Sequence, residues 1–201
     1  MRQQTVMDYF HKLSELMRTL EVTDGRRTPL GLNEGAERAV QLVLATGENR
    51  QKAMLIGNGG SSAIVSHVQN DLCKAVGVQA LVFTEPPLLT ALANDDGYGS
   101  VFEGPIKLWA EPGDLLMAVS SSGESENILR GARASIDRGC HVITLTGFNP
   151  KNPLRQMGDL NFYVPSDVYG YVETTHAALT HFITDRARSI VKTPPQAAVQ
   201  A

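Results

Sequence analysis

From Ala53 onward, short apolar runs alternate with segments of helical period. The runs cover residues 53–56, 80–83, 115–119, 141–145 and 161–164. Their apolarity is continuous, which marks strands buried on both faces. Helical patterns lie between them, near 61–76, 87–93, 99–109 and 125–138, with a last one from about 170 to 191. This alternation predicts an α/β fold: a doubly wound, five-stranded parallel sheet with N-terminal helices added. The first helix, over residues 4–21, carries Val6, Phe10, Leu13, Met17 and Leu20 at steps of four and three. Such spacing makes a narrow seam. The seam spans about two heptads, too short to hold a dimer alone. It suits a helix lying on its own domain and a helix at a subunit contact equally. Residues 23–32 read as a loop through their Gly and Pro, and a second helix runs from 33 to 50. The chain thus divides into an N-terminal oligomerisation helix and linker (1–32), a main domain (33–192) and a disordered tail (193–201).

Composition narrows the function classes. With 201 residues, 42% of them hydrophobic, the chain suffices for one sizeable core. The net charge of -3, with scattered basic residues, argues against a nucleic-acid surface. Two cysteines, Cys73 and Cys140, make no disulfide framework and suit a reducing compartment. No secretory signal is visible, and no apolar stretch approaches the roughly 20 residues that span a bilayer. The expected location is the cytoplasm, away from any membrane.

Doubly wound sheets bind ligands beyond the carboxyl ends of their strands. The first loop there reads Gly57-Asn58-Gly59-Gly60-Ser61-Ser62 and opens a helix. Glycines allow close backbone approach to an anion, and the helix start supplies free N–H groups. The spacing fits neither a P-loop nor a dinucleotide fingerprint. The third loop, Ser120-Ser121-Ser122-Gly123-Glu124-Ser125, also joins an apolar strand to a helix. Hydroxyls and backbone N–H groups suit a phosphate, although an ordinary serine N-cap reads the same way. Two such loops on neighbouring strands favour phosphate.

His67 and Asp71, four residues apart, share one helix face beside the core stripe of Ile64, Val68 and Leu72. The pair is a candidate for metal ligation or acid–base work. The last helix carries Glu173, His176 and His181. Glu173 and His181 are separated by roughly 12 Å of helix rise. Either that helix is broken near Glu173, or the two serve different sites across a subunit interface. Asn94 and Asp95 mark a turn, or a polar pair that hydrogen-bonds sugar hydroxyls.

Together these motifs resemble the SIS (sugar isomerase) domain family, most nearly its phosphoheptose isomerases. The resemblance rests on Gly57 to Ser61, His67 with Asp71, Ala93-Asn94-Asp95, Ser120 to Ser125, Val142 to Gly147, and Glu173 to His181, within residues 35–190. It implies conversion of sedoheptulose 7-phosphate to D-glycero-D-manno-heptose 7-phosphate through an enediol. It implies phosphate held by Ser61, Ser120, Ser121, Ser122 and Ser125, with Asn58, Gly59, Gly60, Asn94, Asp95 and Glu173 also at the substrate. A homotetramer with sites at subunit contacts follows, as does zinc held by His67, Asp71, Glu173 and His181. Asp71 stands where the family has glutamate, Glu173 where it has glutamine, and Ser62 where histidine is frequent.

Asp71 and His181 are the candidate proton carriers, since both types exchange protons near neutral pH when tuned. Two rivals remain. One is a non-catalytic adaptor resembling the relatives that bind the bacterial replication initiator; in those the acidic residue of the first helix is not kept. The other is a phosphosugar-sensing module. The retained Asp71 and His181 favour an enzyme, and the short, non-basic N-terminal segment disfavours the sensor.

Overall fold

The computed structural model describes residues 5–192; the expected tail lies outside them. The expected five strands form β3 (Lys52–Gly57), β4 (Gln79–Val82), β5 (Leu115–Ser120), β6 (His141–Thr146) and β7 (Leu160–Tyr163), paired parallel throughout. Two more strands, β1 (Glu21–Asp24) and β2 (Pro29–Leu30), lie where a loop was expected. They add antiparallel to β7, so the sheet order is β2-β1-β7-β6-β5-β3-β4. The correction has a physical cause. Strands of four and two residues bury a single side chain, Val22, and leave no periodic pattern to read.

Side chains alternate across the sheet. Ala53 and Leu55 of β3 and Leu115, Met117 and Val119 of β5 join one core with Val65, Val68, Leu179 and Ile183. Met54, Ile56, Leu116 and Ala118 join the other, with Phe102, Ile106, Ile128 and Ala132. The first core is covered by α2 (Leu32–Glu48), α3 (Gly59–Asp71) and α7 (Tyr169–Lys192), the second by α5 (Glu103–Trp109) and α6 (Glu126–Asp137). Consequently α3 leaves β3 toward one face and α6 leaves β5 toward the other. Between adjacent β3 and β5 the winding reverses, and that is where a doubly wound sheet opens a crevice.

The first helix, α1 (Val6–Arg18), begins with a capping box between Thr5 and Asp8. It lies on α7 of its own chain, with Tyr9 stacked on Tyr171 at 4.5 Å between ring centres and Leu16 buried. The contact face is Tyr9, Leu13, Leu16 and Leu20, rotated from the expected seam. Val6 and Phe10 stay 68% and 55% exposed, so the seam is only partly used within the chain.

Candidate active site

The loops after β3 and β5 face each other across the crevice and enclose a cavity of about 240 Å³. Asn58, Gly59, Gly60, Ser61, Ser120, Ser121, Ser122, Ser125, Tyr169 and Glu173 line this cradle. Two helices begin at it, α3 and α6, and neither has a side-chain cap. Asn58 holds the N-cap position of α3 and Ser125 that of α6, yet neither side chain bonds to its own helix. The leading N–H groups of both helices therefore lack an N-cap side-chain acceptor, and in the first turn of α6 Ile128 N–H alone among the described residues is met by a side chain, Asn127 Oδ1 at 3.0 Å. Two partly positive helix ends meet serine hydroxyls with no lysine or arginine among the lining residues. The ordinary N-cap reading of Ser125 is thereby excluded.

The serines are not equivalent. Ser61 is 3% exposed, at the first turn of α3. Ser120 Oγ accepts from Gly123 N–H at 3.2 Å, and Ser122 Oγ accepts from Glu124 N–H at 3.2 Å, bonds that hold the loop's shape. Gly123 itself has φ +64°, and a Cβ there would strike Asn152 at 2.0 Å, so the turn requires glycine. The Ser121 hydroxyl, expected at the phosphate, is buried without a partner among the described residues. Its carbonyl instead accepts from Gly147 N–H at 2.9 Å, tying the loop to the end of β6.

Glu173 brings a carboxylate over the cradle. A Cβ added at Gly60 would lie 2.5 Å from Glu173 Oε2, so the glycine leaves room for the carboxylate where it stands. Helix α7 is regular through this point, and eight residues on it carries His181. His181 Nδ1 lies 3.5 Å from Asp71 Oδ2, and His67 Nε2 lies 3.6 Å from the same oxygen. The two imidazoles meet edge to face at 4.7 Å between ring centres. Donor atoms of His67, Asp71 and His181 all fall within 4.8 Å of one another, a possible metal site. The four-ligand set implied by the resemblance thus divides: three residues gather and Glu173 lies with the serines. The reason is helix geometry, since eight residues of unbroken helix separate Glu173 from His181 by roughly 12 Å.

His176, between them on α7, is fully buried. Its Nε2 lies 3.1 Å from the Thr146 carbonyl, to which it donates, while Nδ1 has no partner among the described residues. Burial pushes its pKa down to about 4, partly offset by the bond to Thr146, so it is a neutral core histidine near pH 7. Asn94 and Asp95 lie exposed at the end of α4 (Pro86–Asp95), bonded to each other at 2.8 Å, and do not line the cradle.

Sequence reasoning missed three residues. Tyr169 lines the cradle from the start of α7. Asn127, 2% exposed, exchanges two hydrogen bonds with Asn58, each of 2.9 Å. Tyr98 Oη donates to Asn58 Oδ1 at 3.2 Å. One signal was available for Asn127: an amide beside Ile128 in a helix's first turn, a polar group that burial would oblige to find partners.

The SIS domain profile matches residues 8–147. Among curated proteins, the phosphoheptose isomerase of Aliarcobacter butzleri is 32% identical over 158 residues, covering 76% of this chain and 83% of that protein. The phosphoheptose isomerase of Bordetella avium is 32% identical over 164 residues, covering 77% and 82%. Among solved structures, the phosphoheptose isomerase of Neisseria gonorrhoeae superposes with a TM-score of 0.79 at 27% identity, covering 92% of this chain and 97% of that one.

Proposed function

The chain belongs to the SIS domain family, and we propose that it is an aldose–ketose isomerase converting sedoheptulose 7-phosphate to D-glycero-D-manno-heptose 7-phosphate. The substrate is drawn from the similarity to phosphoheptose isomerases over three quarters of the chain. The observation that carries the reading is the pair of uncapped helix ends at the serine cradle. A phosphate there would give the open N–H groups of α3 and α6 the acceptors they lack. Ser61, Ser120, Ser122 and Ser125 would add hydroxyl donors.

Isomerisation removes a proton from the carbon beside the carbonyl and returns it to the neighbouring carbon. Asp71 and His181 are the proton carriers in this reading. Their 3.5 Å separation supports it, because a proton taken by one is within reach of the other. His67 closes the third side of Asp71. The same three side chains fit a divalent ion, for two imidazoles and a carboxylate at this spacing suit zinc with an open position. Such an ion would polarise the substrate's carbonyl and hydroxyl oxygens. Glu173 stays with the cradle, where it is the one carboxylate among the lining residues.

We further place the working enzyme in the cytoplasm as a homotetramer. Exposed Val6, Met7 and Phe10 on α1 support self-association, as does the separation of cradle from cluster on one chain. Among the described residues, no helix is long and apolar enough to cross a membrane. The deciding experiment incubates purified protein with a panel of ketose phosphates and follows aldose phosphate. Turnover of sedoheptulose 7-phosphate is expected; no turnover of any member would sink the enzyme reading.

A further inference from the structure

Asn58 is the cradle residue whose orientation is most fully determined, by groups outside the cradle. The backbone N–H of Ile128 lies 3.0 Å from one side-chain atom of Asn127, and an N–H there needs an acceptor, so that atom is Oδ1. The other end of the Asn127 amide is then Nδ2, and it donates to Asn58 Oδ1 at 2.9 Å. Asn58 Nδ2 returns a bond of 2.9 Å to Asn127 Oδ1. Tyr98 Oη supplies a second donor to Asn58 Oδ1 at 3.2 Å.

An amide oxygen accepts about two hydrogen bonds, and those of Asn58 come from Asn127 and Tyr98. Its amide nitrogen has two hydrogens, of which one goes to Asn127. The second has no partner among the described residues, and Asn58 lines the cradle. Asn58 can therefore meet a ligand as a donor and not as an acceptor. A single helix arranges this. Asn127 sits in the first turn of α6, buried to 2% exposure. The Tyr98–Ser100 turn rests against the same helix. A Cβ on Gly99 would come within 2.9 Å of Arg130 Nη1 and 3.0 Å of Glu126 Oε1. Glu103 of α5 pairs with Arg130 and braces that side.

We propose that Asn127 and Tyr98 are positioning residues that lock the Asn58 amide with its free N–H toward the cradle, so that it selects a substrate oxygen as acceptor. The inference rests on the sugar-phosphate reading of the cradle. It deepens that reading by assigning Asn58 to a carbonyl or hydroxyl oxygen of the sugar, since the phosphate oxygens go to the helix ends and serines. Tyr98, 54% exposed, contributes little to the core, so its hydroxyl can be removed without disturbing the fold.

The test uses the full-length protein and two probes, inorganic phosphate and sedoheptulose 7-phosphate. Tyr98→Phe should raise KM for sedoheptulose 7-phosphate about fivefold, the worth of one neutral hydrogen bond. Its melting temperature and its affinity for inorganic phosphate should match the wild type. Asn58→Asp keeps the acceptor for Asn127 and Tyr98 but replaces the amide nitrogen by an acceptor, removing both the free donor and the bond to Asn127 Oδ1. Its loss of sugar-phosphate affinity should exceed that of Tyr98→Phe. Wild-type turnover with an unchanged KM in Tyr98→Phe overturns the positioning role alone. Equal weakening of inorganic phosphate and sedoheptulose 7-phosphate in Tyr98→Phe also overturns it, since the loss would then be general. A wild-type protein that neither binds phosphate nor turns over the sugar overturns the isomerase reading beneath it.

Discussion

The cradle and the histidine cluster lie on the same two helices and are built on opposite principles. At the cradle, α3 begins and α7 enters, and the working parts are largely backbone: two open helix ends, a left-handed Gly123 and a loop carbonyl tied to Gly147. Further along the same helices, His67 and Asp71 of α3 meet His181 of α7, and everything depends on three side chains. The cradle draws its polarity from chain direction, because strands that end at a switch point deliver helix N-termini there whatever residues follow. The cluster draws its chemistry from residue identity at a four-residue spacing. An anion-binding site of the first kind should therefore degrade gradually under single substitutions, and a proton-transfer or metal site of the second kind abruptly.

The strongest attempt to break that contrast is Asp71→Asn. It preserves shape, removes the charge both imidazoles face, and leaves the cradle untouched. Turnover should fall by about 10²-fold or more, while binding of inorganic phosphate stays at the wild-type level. Elemental analysis sharpens the outcome: an ion lost together with activity marks Asp71 as a ligand, and protein free of metal throughout marks it as a base. Full activity in this variant would remove Asp71 from the mechanism, as proton carrier and as required ligand alike.

Ser125→Ala probes the cradle with less expected damage. Because the Ser125 side chain does not cap α6, its loss should leave the melting temperature unchanged. A hydrogen bond to a charged group contributes about 1.5–3 kcal/mol, so KM should rise about tenfold or more with kcat little altered. An unaltered KM would mean that the hydroxyl does not touch the phosphate.

The smallest effect is expected at the boundary between the two regions. Glu173→Gln removes the one carboxylate among the cradle-lining residues and keeps its shape. Relief of repulsion at this half-buried position should tighten inorganic phosphate about twofold to fivefold. Metal content should not change, since Glu173 is not among the three gathered residues. Loss of metal in this variant would show that Glu173 joins the cluster after all, in this chain or across a contact between copies.

The five parallel strands were legible because continuous apolar runs have no other soluble explanation once helical segments separate them. The serine loops and the His67–Asp71 pair were legible because local spacing fixes them: a loop follows its strand, and residues four apart share a helix face. What lay beyond reach was everything set by approach rather than by sequence distance. The β1–β2 hairpin exists because β7 offers an open edge to pair with, and its own residues carry almost no pattern. The tie from Tyr98 to Asn58 to Asn127 joins residues 40 and 69 positions apart. The sharpest case is α7. Its sequence put Glu173, His176 and His181 on one helix and left their roles open. Packing against α3 and the sheet then sent Glu173 to the serine cradle, sealed His176 in the core and brought His181 to Asp71. A helix fixes the spacing of its own side chains, but which neighbours they meet depends on the faces its partners turn toward it. Those faces are set by the winding of the whole sheet.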